Sequence, residues 1–548
     1  MFRRLLALVA AAAVSLWSLS RPEAQTVTAP RLVVLLVVDQ LRADYLTTFD
    51  NRWRGGFRRL LDEGARWVNA EYPYWSTITC AGHSTIGTGA LPRTHGMVLN
   101  RWWDRTERRM TTCTEDASTP PMSFGRPARA GQSGARLLAP TLADEIRSQR
   151  PGARVVSLSL KPRSAIGLAG HGGDAVVWFD DFARSFVTSR AFAVHVPPAV
   201  KAFIDHDNFE SEQGKTWTLS ERPASYRYAD IVAGERPDFG WTSLFPHRIA
   251  GNTPLDAAFA DHWQKSPLSD AYLGRMATSL IERLQLGQRE TTDFLGISFS
   301  ALDMVGHDFG PRSREIEDLL IALDQTIGAV IQHLDTTVGR DRYVLALTAD
   351  HGVAVIPEQI GAGRVADEDI GAVAEQALVA AWGARQRGNY LDMVAGGQIY
   401  FAPGVFDRLR ESTMAMRTIE QALIEIPGLE RVVRSDRLDD SSGDAAATAI
   451  ARGYFSGRSG DLFVVPKREW IVEQRSTNDA TTHGTMYEYD RRVPLILFGR
   501  GITRGSFSGS ATPADIAPTL AHVAGIRLAK AEGRRLTEMA PASARDAR

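Results

Sequence analysis

The sequence has little cysteine and no excess of charge of either sign. Only Cys80 and Cys113 occur among 548 residues, so at most one disulfide can form, and the sequence alone does not show whether the two lie close together. The 63 Lys and Arg residues balance 64 Asp and Glu residues, so the overall charge does not indicate the strongly basic surface of a nucleic-acid-binding protein. Hydrophobic residues make up 44% of the chain, enough for a large core. We therefore expect a globular protein whose partner is a small molecule.

Long apolar runs are also scarce. The one candidate, Leu5–Leu19, follows a basic start and is shorter than the ~20 residues that span a bilayer. It predicts a signal peptide over residues 1–24, with cleavage after Ser20 or Ala24, and a retained anchor is the alternative. A lipid anchor is not expected, because this segment contains no cysteine. We expect an exported protein without stable membrane insertion.

Short apolar runs alternate with helical patterns along the chain. Continuous runs of this length are typical of strands buried on both faces of a parallel sheet. The segment 313–334 carries one apolar stripe with helical spacing. The pattern predicts an α/β fold with a large, mostly parallel central sheet flanked by helices on both faces. The predicted strands are Arg31–Val38, Arg154–Leu160, Asp293–Ser300, Tyr343–Thr348 and Val493–Phe498.

Two long intervals interrupt this alternation. We interpret residues 25–548 as one domain with insertions near 180–290 and 360–480, because the sheet pattern resumes after each interval; independent domains are the alternative. The final residues, from about 530, are predicted to form a loosely held tail. Aromatic residues of the first interval either line a surface for a substrate group or, as is more usual for such a stripe, belong to the core. They are Trp217, Tyr226, Tyr228, Trp241 and Phe245.

Carboxylates and imidazoles follow the predicted strands at the points where they end. In open α/β sheets, ligands bind beyond these carboxyl ends. A single Asp there is usually a turn or helix cap, but six such residues together favour metal binding. Mixed Asp and His ligands suit zinc, with manganese as a weaker candidate, and two ions ~4 Å apart suit phosphoryl transfer. The six are Asp39, Asp303, His307, Asp350, His351 and His483.

The segment from Tyr72 to Asn100 is rich in hydroxyl groups and contains no carboxylate. A hydroxyl beside a divalent cation can lose its proton near neutral pH, as water does. We favour Thr79 as the nucleophile, because it lies between an extended stretch and a helix-capable one, where a helix N-terminus would stabilise an alkoxide. The alternatives are Ser76, Thr77, Cys80 and Ser84.

Together these residues resemble the alkaline phosphatase superfamily, most closely its phosphate-irrepressible periplasmic alkaline phosphatases with a threonine nucleophile. The similarity runs from residue 33 to beyond 490. DxxGH and ADHG are common to the superfamily, whereas Asn100 and the Lys161-x-Arg163 pair are the narrower signal. The matching segments are VVDQLRADYL, TITCAGHSTIGTG, LNRWWD, SLKPRSAI, ALDMVGHDFGP, TADHGV and THGT.

The resemblance implies two zinc ions and a phosphothreonine intermediate formed on Thr79. It implies that one zinc is held by Asp303, His307 and His483, and the other by Asp39, Asp350, His351 and the Thr79 oxygen.

Asn100, Lys161 and Arg163 are expected to bind the phosphoryl oxygens. An ammonium and a bidentate guanidinium favour the roughly doubly charged monoester over a singly charged diester. Because the pair directly follows a predicted strand, it would lie at the same sheet edge as the metal ligands. Pro162, between the two cations, departs from the pattern that we expect for the family. Proline stiffens the loop and removes an N–H group, which could alter how far Lys161 reaches.

The expected protein is therefore a monomeric periplasmic phosphomonoesterase with broad leaving-group tolerance. A phosphodiesterase or nucleotide pyrophosphatase would keep the metals and Thr79 but lack the cationic pair. A sulfatase would need a C-x-P-x-R motif, which Cys80 does not begin. A cofactor-independent phosphoglycerate mutase would use serine and remain in the cytoplasm. A periplasmic metal- or phosphate-binding protein would not need Thr79.

Overall fold

A computed structural model describes residues 29–129, 131–251, 256–440 and 443–539. The predicted signal peptide lies outside these residues. Within them, no helix is long and apolar enough to cross a membrane. The strands are β1 Leu32–Val38, β2 Ala65–Ala70, β3 Arg101–Asp104, β4 Arg109–Thr112, β5 Pro121–Ser123, β6 Val155–Ser159, β7 Ala175–Asp180, β8 Ser185–Ser189, β9 Thr216–Trp217, β10 His247–Arg248, β11 Asp293–Phe299, β12 Tyr343–Thr348, β13 Arg364–Ala366, β14 Leu391–Ala395, β15 Gln398–Phe401, β16 Leu429–Arg434, β17 Leu462–Pro466, β18 Ile471–Glu473, β19 Leu495–Gly499 and β20 Gly505–Ala511.

The helices surround these strands. They are α1 Tyr45–Thr48, α2 Gly56–Glu63, α3 Thr79–Thr88, α4 Pro92–His95, α5 Leu142–Gln149, α6 Pro162–Ala169, α7 Pro198–His206, α8 Ala257–Gln264, α9 Pro267–Arg283, α10 Ala301–Phe309, α11 Arg314–Leu334, α12 Asp367–Trp382, α13 Val405–Glu411, α14 Thr413–Ile424, α15 Ala445–Gly453, α16 Glu488–Arg491 and α17 Ile516–Ala524.

In the described chain, ten strands form one sheet in the order β20-β2-β19-β12-β1-β11-β6-β7-β8-β5. Its centre is parallel: β1 pairs with β12 and β11, and β6 pairs with β11 and β7. Strand β19 runs antiparallel to β12 and to β2, and β8 runs antiparallel to β7 and to β5. The α/β class is confirmed, and the sheet is mixed: its central strands run parallel, and β2 and β20 form a further parallel pair at one edge.

Strand β1 shows why the sheet is covered on both faces. All seven of its residues are buried. Leu32, Val34, Leu36 and Val38 pack into one core with α2, α9, α10 and α11, whereas Val33, Leu35 and Val37 pack into a second core with α5, α6 and α17. Because successive side chains of a strand point to opposite faces, a continuous apolar run can fill two helix layers.

The two interrupting intervals are built differently. In the first, Phe209, Trp217 and Trp263 join the main core beside the sheet. In the second, β14, β15, β16 and β17 form a four-stranded sheet that packs with α12 and α14 around a separate apolar cluster. The division of the chain into one domain with two insertions stays a prediction.

The predicted loose tail is wrong for part of its length. Leu536 and Met539 are buried in the second core, and the backbone N–H groups of Glu532 and Gly533 both donate to the Gly89 carbonyl. The end of the described chain is therefore anchored by apolar packing and by backbone hydrogen bonds.

Candidate functional site

The parallel centre of the sheet brings the predicted acidic residues to one edge. Val38 is in register with Phe299, and Val37 with Thr348, so β1, β11 and β12 end side by side. Asp39 directly follows β1, and Asp350 lies two residues beyond β12. After β11, the chain turns into α10, which carries Asp303 in its first turn and His307 in its last. The strand register thus explains why residues more than 250 positions apart in the sequence meet.

One cluster contains Asp303, His307 and His483. The Oδ1 atom of Asp303 lies 3.4 Å from Nε2 of His307 and 3.6 Å from Nε2 of His483. Backbone carbonyls orient both rings: the Nδ1 of His307 lies 2.9 Å from the Thr481 oxygen, and that of His483 lies 2.8 Å from the Thr77 oxygen. Such outer contacts leave both Nε2 atoms directed at the carboxylate, as in zinc sites.

The second cluster contains Asp39, Asp350 and His351, all fully buried. The Nε2 atom of His351 lies 3.4 Å from Oδ1 of Asp39 and 3.3 Å from Oδ2 of Asp350. Within the described residues, none of these three atoms has a hydrogen-bond partner. A candidate ligand set formed by single atoms of Asp39, Asp303 and His351 overlaps this cluster.

The ring of His351 carries no positive charge that could neutralise Asp39 and Asp350. Burial lowers the pKa of His351, so its imidazole is neutral. Its Nδ1 lies 3.0 Å from the Gly352 carbonyl and is the nitrogen that donates, which leaves a lone pair on Nε2. Three buried acceptors therefore face one another, and a metal cation fits this arrangement because it can satisfy all three.

Lys161 lies between the two clusters. Its Nζ donates to Oδ2 of Asp39 at 2.6 Å and also to Oδ2 of Asp303. Burial alone would lower the pKa of the ammonium, but the two carboxylates raise it above its usual value, so Lys161 is charged. Burial would lower the pKa of His307, but Asp303 and Asp479 raise it to about 10. Lys161 and His307 both contact Asp303, and these two cations do not balance the three carboxylates of the two clusters.

The carboxylates respond differently to this environment. Burial, followed by repulsion from Asp303 and Asp350, raises the pKa of Asp39 well above its ordinary value. Burial would also raise the pKa of Asp303, but Lys161 and His307 outweigh it and hold that pKa well below its usual range. This excess of buried acceptors suits divalent cations.

Thr79 is the first residue of α3 and is almost fully buried. Residue Gly82 of the same helix packs so tightly on Asp350 that an added Cβ would lie 2.4 Å from the Asp350 carbonyl oxygen. The start of α3 is thereby held next to the second cluster. A helix N-terminus favours negative charge, so this position suits a hydroxyl that must become an alkoxide.

The other candidate nucleophiles have different surroundings. Cys80 is disulfide-bonded to Cys113, which answers the question left open by the sequence and removes Cys80 as a free thiol. The Thr77 hydroxyl donates to the Thr485 carbonyl at 2.9 Å. Ser76 has a positive φ of 61° in the turn before α3. Ser84 is buried in the middle of α3, and within the described chain its hydroxyl has no partner.

The three predicted phosphoryl-binding residues lie near two helix starts: Lys161 and Arg163 belong to the start of α6, and Asn100 directly precedes β3 and contacts the start of α3. Asn100 Oδ1 accepts the backbone N–H of Cys80 at 2.8 Å, which leaves its NH₂ group as a donor beside Thr79. Lys161 caps α6, Pro162 begins it, and Arg163 follows. Proline is well suited to this first position, because its missing N–H would have had no partner there. Arg163 makes no ion pair in the part of the chain that the structure describes, and its buried Nε is unpaired.

Two residues near the clusters did not emerge from the sequence. Gln40 donates from Nε2 to Oδ1 of Asp303 at 2.8 Å and from its backbone N–H to Oδ1 of Asp350 at 3.1 Å. His83 has its Nδ1 3.2 Å from Oδ2 of Asp350 and 2.9 Å from the Thr79 carbonyl. Gln40 directly follows Asp39, and its positive φ of 67° shows how sharply the chain turns there.

The aromatic segment of the first interval belongs to the core. Trp217 and Tyr226 are buried, and Tyr228, Trp241 and Phe245 pack against the same cluster. The Trp217 indole donates to Oδ2 of Asp318 at 2.7 Å. Buried aromatic side chains with satisfied polar atoms explain this stripe without a substrate surface.

Comparisons with known proteins agree with this arrangement. Residues 33–487 match the sequence model of a family described as type I phosphodiesterase / nucleotide pyrophosphatase. The chain is 31% identical to alkaline phosphatase PhoV of Synechococcus elongatus, over 90% of each chain. It is 28% identical to alkaline phosphatase PafA of Elizabethkingia meningoseptica, over 95% of this chain and 96% of the relative. The crystal structure of wild-type PafA superimposes with a TM-score of 0.84 and covers 94% of this chain and 100% of that chain.

Proposed function

The chain belongs to the type I phosphodiesterase / nucleotide pyrophosphatase family, and we propose that it is an exported alkaline phosphatase that hydrolyses phosphate monoesters through a phosphothreonine intermediate at a two-zinc site. Alkaline phosphatases match it over nearly its whole length, and the chain is a phosphatase of this superfamily. Beyond this membership, we propose the identity of the nucleophile, the two zinc ions, the preference for monoesters and the export of the protein.

The observation that carries the proposal is the group of three unpaired acceptors on Asp39, Asp350 and His351 beside the start of the Thr79 helix. Asp303, His307 and His483 would hold one zinc, and Asp39, Asp350 and His351 the other. Zinc ions bound there would lower the pKa of a nearby hydroxyl and stabilise charge on the phosphoryl oxygens.

Thr79 would act as the nucleophile. Its Oγ forms a bond to phosphorus while the bond from phosphorus to the leaving-group oxygen breaks, giving phosphothreonine and an alcohol. Water then attacks phosphorus, and the Thr79 oxygen leaves to restore the hydroxyl and release inorganic phosphate. The burial of Thr79 holds the attacking oxygen in place, and its position at the N-terminus of α3 favours the anionic form of that oxygen.

Arg163 and Asn100 would bind the non-bridging oxygens. The guanidinium of Arg163 has no carboxylate partner in the described chain, and the Asn100 amide keeps both its N–H donors. Lys161 would add a positive charge while it holds Asp39 and Asp303 in place. This cationic pair supports the doubly charged monoester over a diester.

A phosphodiesterase is the second candidate, because the family model carries that description. It would use the same metal ligands and Thr79. Arg163 argues against a phosphodiesterase. Its guanidinium lies beside Asn100 without an acidic partner among the described residues, and a diester has one negative charge fewer than a monoester to bind there.

The test compares kcat/KM for phenyl phosphate, methyl phenyl phosphate and phenyl sulfate on the zinc-loaded protein. Wild type should prefer the monoester strongly. The double variant Lys161→Ala/Arg163→Ala should lose about 100-fold or more on the monoester, because each lost charge-assisted hydrogen bond costs about 1.5–3 kcal/mol, and far less on the diester. The control Lys201→Ala/Arg452→Ala, which removes two exposed cations elsewhere, should change neither rate. A wild type that prefers the diester would contradict the monoesterase assignment.

A further inference from the structure

A cavity opens beside the proposed phosphoryl-binding residues. Its volume is about 330 Å³, and Asn100 and Arg163 form part of its wall. An apolar cavity of about 150 Å³ is enough to hold benzene, so this space can hold a substituted aromatic ring. We call it the Arg101 cavity; its lining includes Asn100, Arg101, Thr112, Thr114, Gln132 and Arg163.

The charged residues that line the Arg101 cavity are all positive. No Asp or Glu residue lines it. Arg101 and Arg163 both contribute to the wall, and neither makes an ion pair with any described residue. Glu115, which directly follows Thr114, is occupied by Arg109, whose guanidinium lies 2.7 Å from its Oε1. Two positive charges without acidic partners in one partly enclosed space attract an anion.

Gln132 supplies a hydrogen-bond donor on the same wall. The Thr114 hydroxyl donates to Oε1 of Gln132 at 2.6 Å, so the Gln132 amide keeps its NH₂ group as a donor. This NH₂ group can donate to an anion that also contacts the Arg101 guanidinium.

The cavity is fixed relative to the nucleophile. Arg101 pairs with Thr112 across the β3–β4 hairpin, and the Cys113 N–H donates to the Asn100 carbonyl at 3.0 Å. The disulfide joins Cys113 to Cys80, the residue after Thr79. A group bound here would therefore lie at a constant position relative to a phosphoryl group on Thr79.

We propose that the Arg101 cavity is a leaving-group subsite for phosphate monoesters that carry a second anionic group, a carboxylate or a phosphate-type group, which Arg101 and Gln132 bind. This inference rests on the proposed function. Arg101 would act on specificity and not on the chemical step, because it binds a part of the substrate remote from phosphorus.

The experiment measures kcat/KM for four substrates: phenyl phosphate and its meta-carboxylate, meta-phosphonate and neutral meta-carboxamide derivatives. The ratio of each anionic substrate to the carboxamide is compared between wild type and Arg101→Gln, because intrinsic leaving-group reactivity then cancels. Arg108→Gln, at the far end of the same hairpin and outside the cavity, controls for the loss of one positive charge.

Arg101→Gln should lower the ratio for both anionic substrates by about two- to fivefold, the usual size for an exposed charge pair, and added salt should lower it in wild type. Arg108→Gln should leave this ratio unchanged.

An effect on the phosphonate alone would identify a phosphate-type group as the ligand, and an effect on the carboxylate alone would identify a carboxylate. A ratio that Arg101→Gln does not change, with phenyl phosphate still hydrolysed, would overturn the subsite alone. No hydrolysis of phenyl phosphate by wild type would overturn the proposed function and this inference with it.

Discussion

Thr79 is the residue on which the proposed chemistry depends. Thr79→Ser keeps a hydroxyl at the start of α3 and should remain active, whereas Thr79→Ala should lower kcat/KM for phenyl phosphate by about 1,000-fold or more. Zinc content, measured on the purified variants, should stay close to that of wild type, because the carboxylate and imidazole ligands are intact. Ser84→Ala, which removes another buried hydroxyl from the same helix, serves as the control. Full activity in Thr79→Ala would show that another group is the nucleophile.

Single residues differ in how well the sequence reveals them. Asp39, Asp303 and Asp350 could be grouped because each follows an apolar run, and adjacent strands end at one edge. Gln40 and His83 could not be assigned, because their roles arise from contacts with carboxylates more than 260 residues away. The sequence offers no periodicity that marks such contacts.

Among the elements, the five predicted strands are all present, but the other five strands of the main sheet and the strand directions were not predicted. Tyr343–Thr348 is a strand over the predicted residues, and β11 ends one residue before its predicted end. Strand β19 begins two residues later than predicted and runs antiparallel to β12. A buried strand between two others needs apolar residues on both faces in either direction, so composition cannot distinguish the two.

The secondary structure of the Lys161-Pro162-Arg163 segment was likewise not predicted from the sequence. Its position after a strand predicted that it would reach the sheet edge, but proline suggested a stiffened loop. In the structure it begins α6, where the fixed φ of proline suits the first helical position. Whether three residues form a loop or a first helical turn depends on the burial of the residues that follow.

The disulfide connects two elements of the candidate site, helix α3, which begins at Thr79, and the segment after β4. It closes a loop with a sequence separation of 33, so its loss should lower the free energy of unfolding by about 3 kcal/mol. Chemical denaturation of Cys80→Ala/Cys113→Ala should show this loss. The KM for phenyl phosphate should also rise. Asn100 accepts hydrogen bonds from the backbone N–H groups of both Cys80 and Cys113, so its position depends on the residues that the disulfide joins.

Wild type treated with reductant should show the same loss of stability, and the double variant should not respond to reductant. Equal stability of oxidised and reduced wild type would show that the cross-link contributes nothing to the folded state.

Across the protein as a whole, the candidate site places unfavourable charge at the centre of the sheet. Asp39, Asp303 and Asp350 are buried together, and among the described residues Lys161 contacts two of them and His307 contacts one. Burying carboxylates without enough cations costs free energy, which the rest of the core must offset. The two apolar cores on the faces of the sheet can do so, because they extend over nearly every element around it.

Metal binding should therefore stabilise the entire fold. A ligand that binds only the folded protein adds about 2.7 kcal/mol of stability at a free concentration 100 times its Kd. We expect the melting temperature to rise with free zinc concentration and to fall by several degrees when a chelator removes the metal. His307→Ala/His351→Ala removes one imidazole from each cluster and should abolish most of this dependence. Calorimetry at fixed protein concentration tests both expectations, and a wild-type melting temperature that is the same with zinc and with chelator would contradict the assignment of these clusters as metal sites.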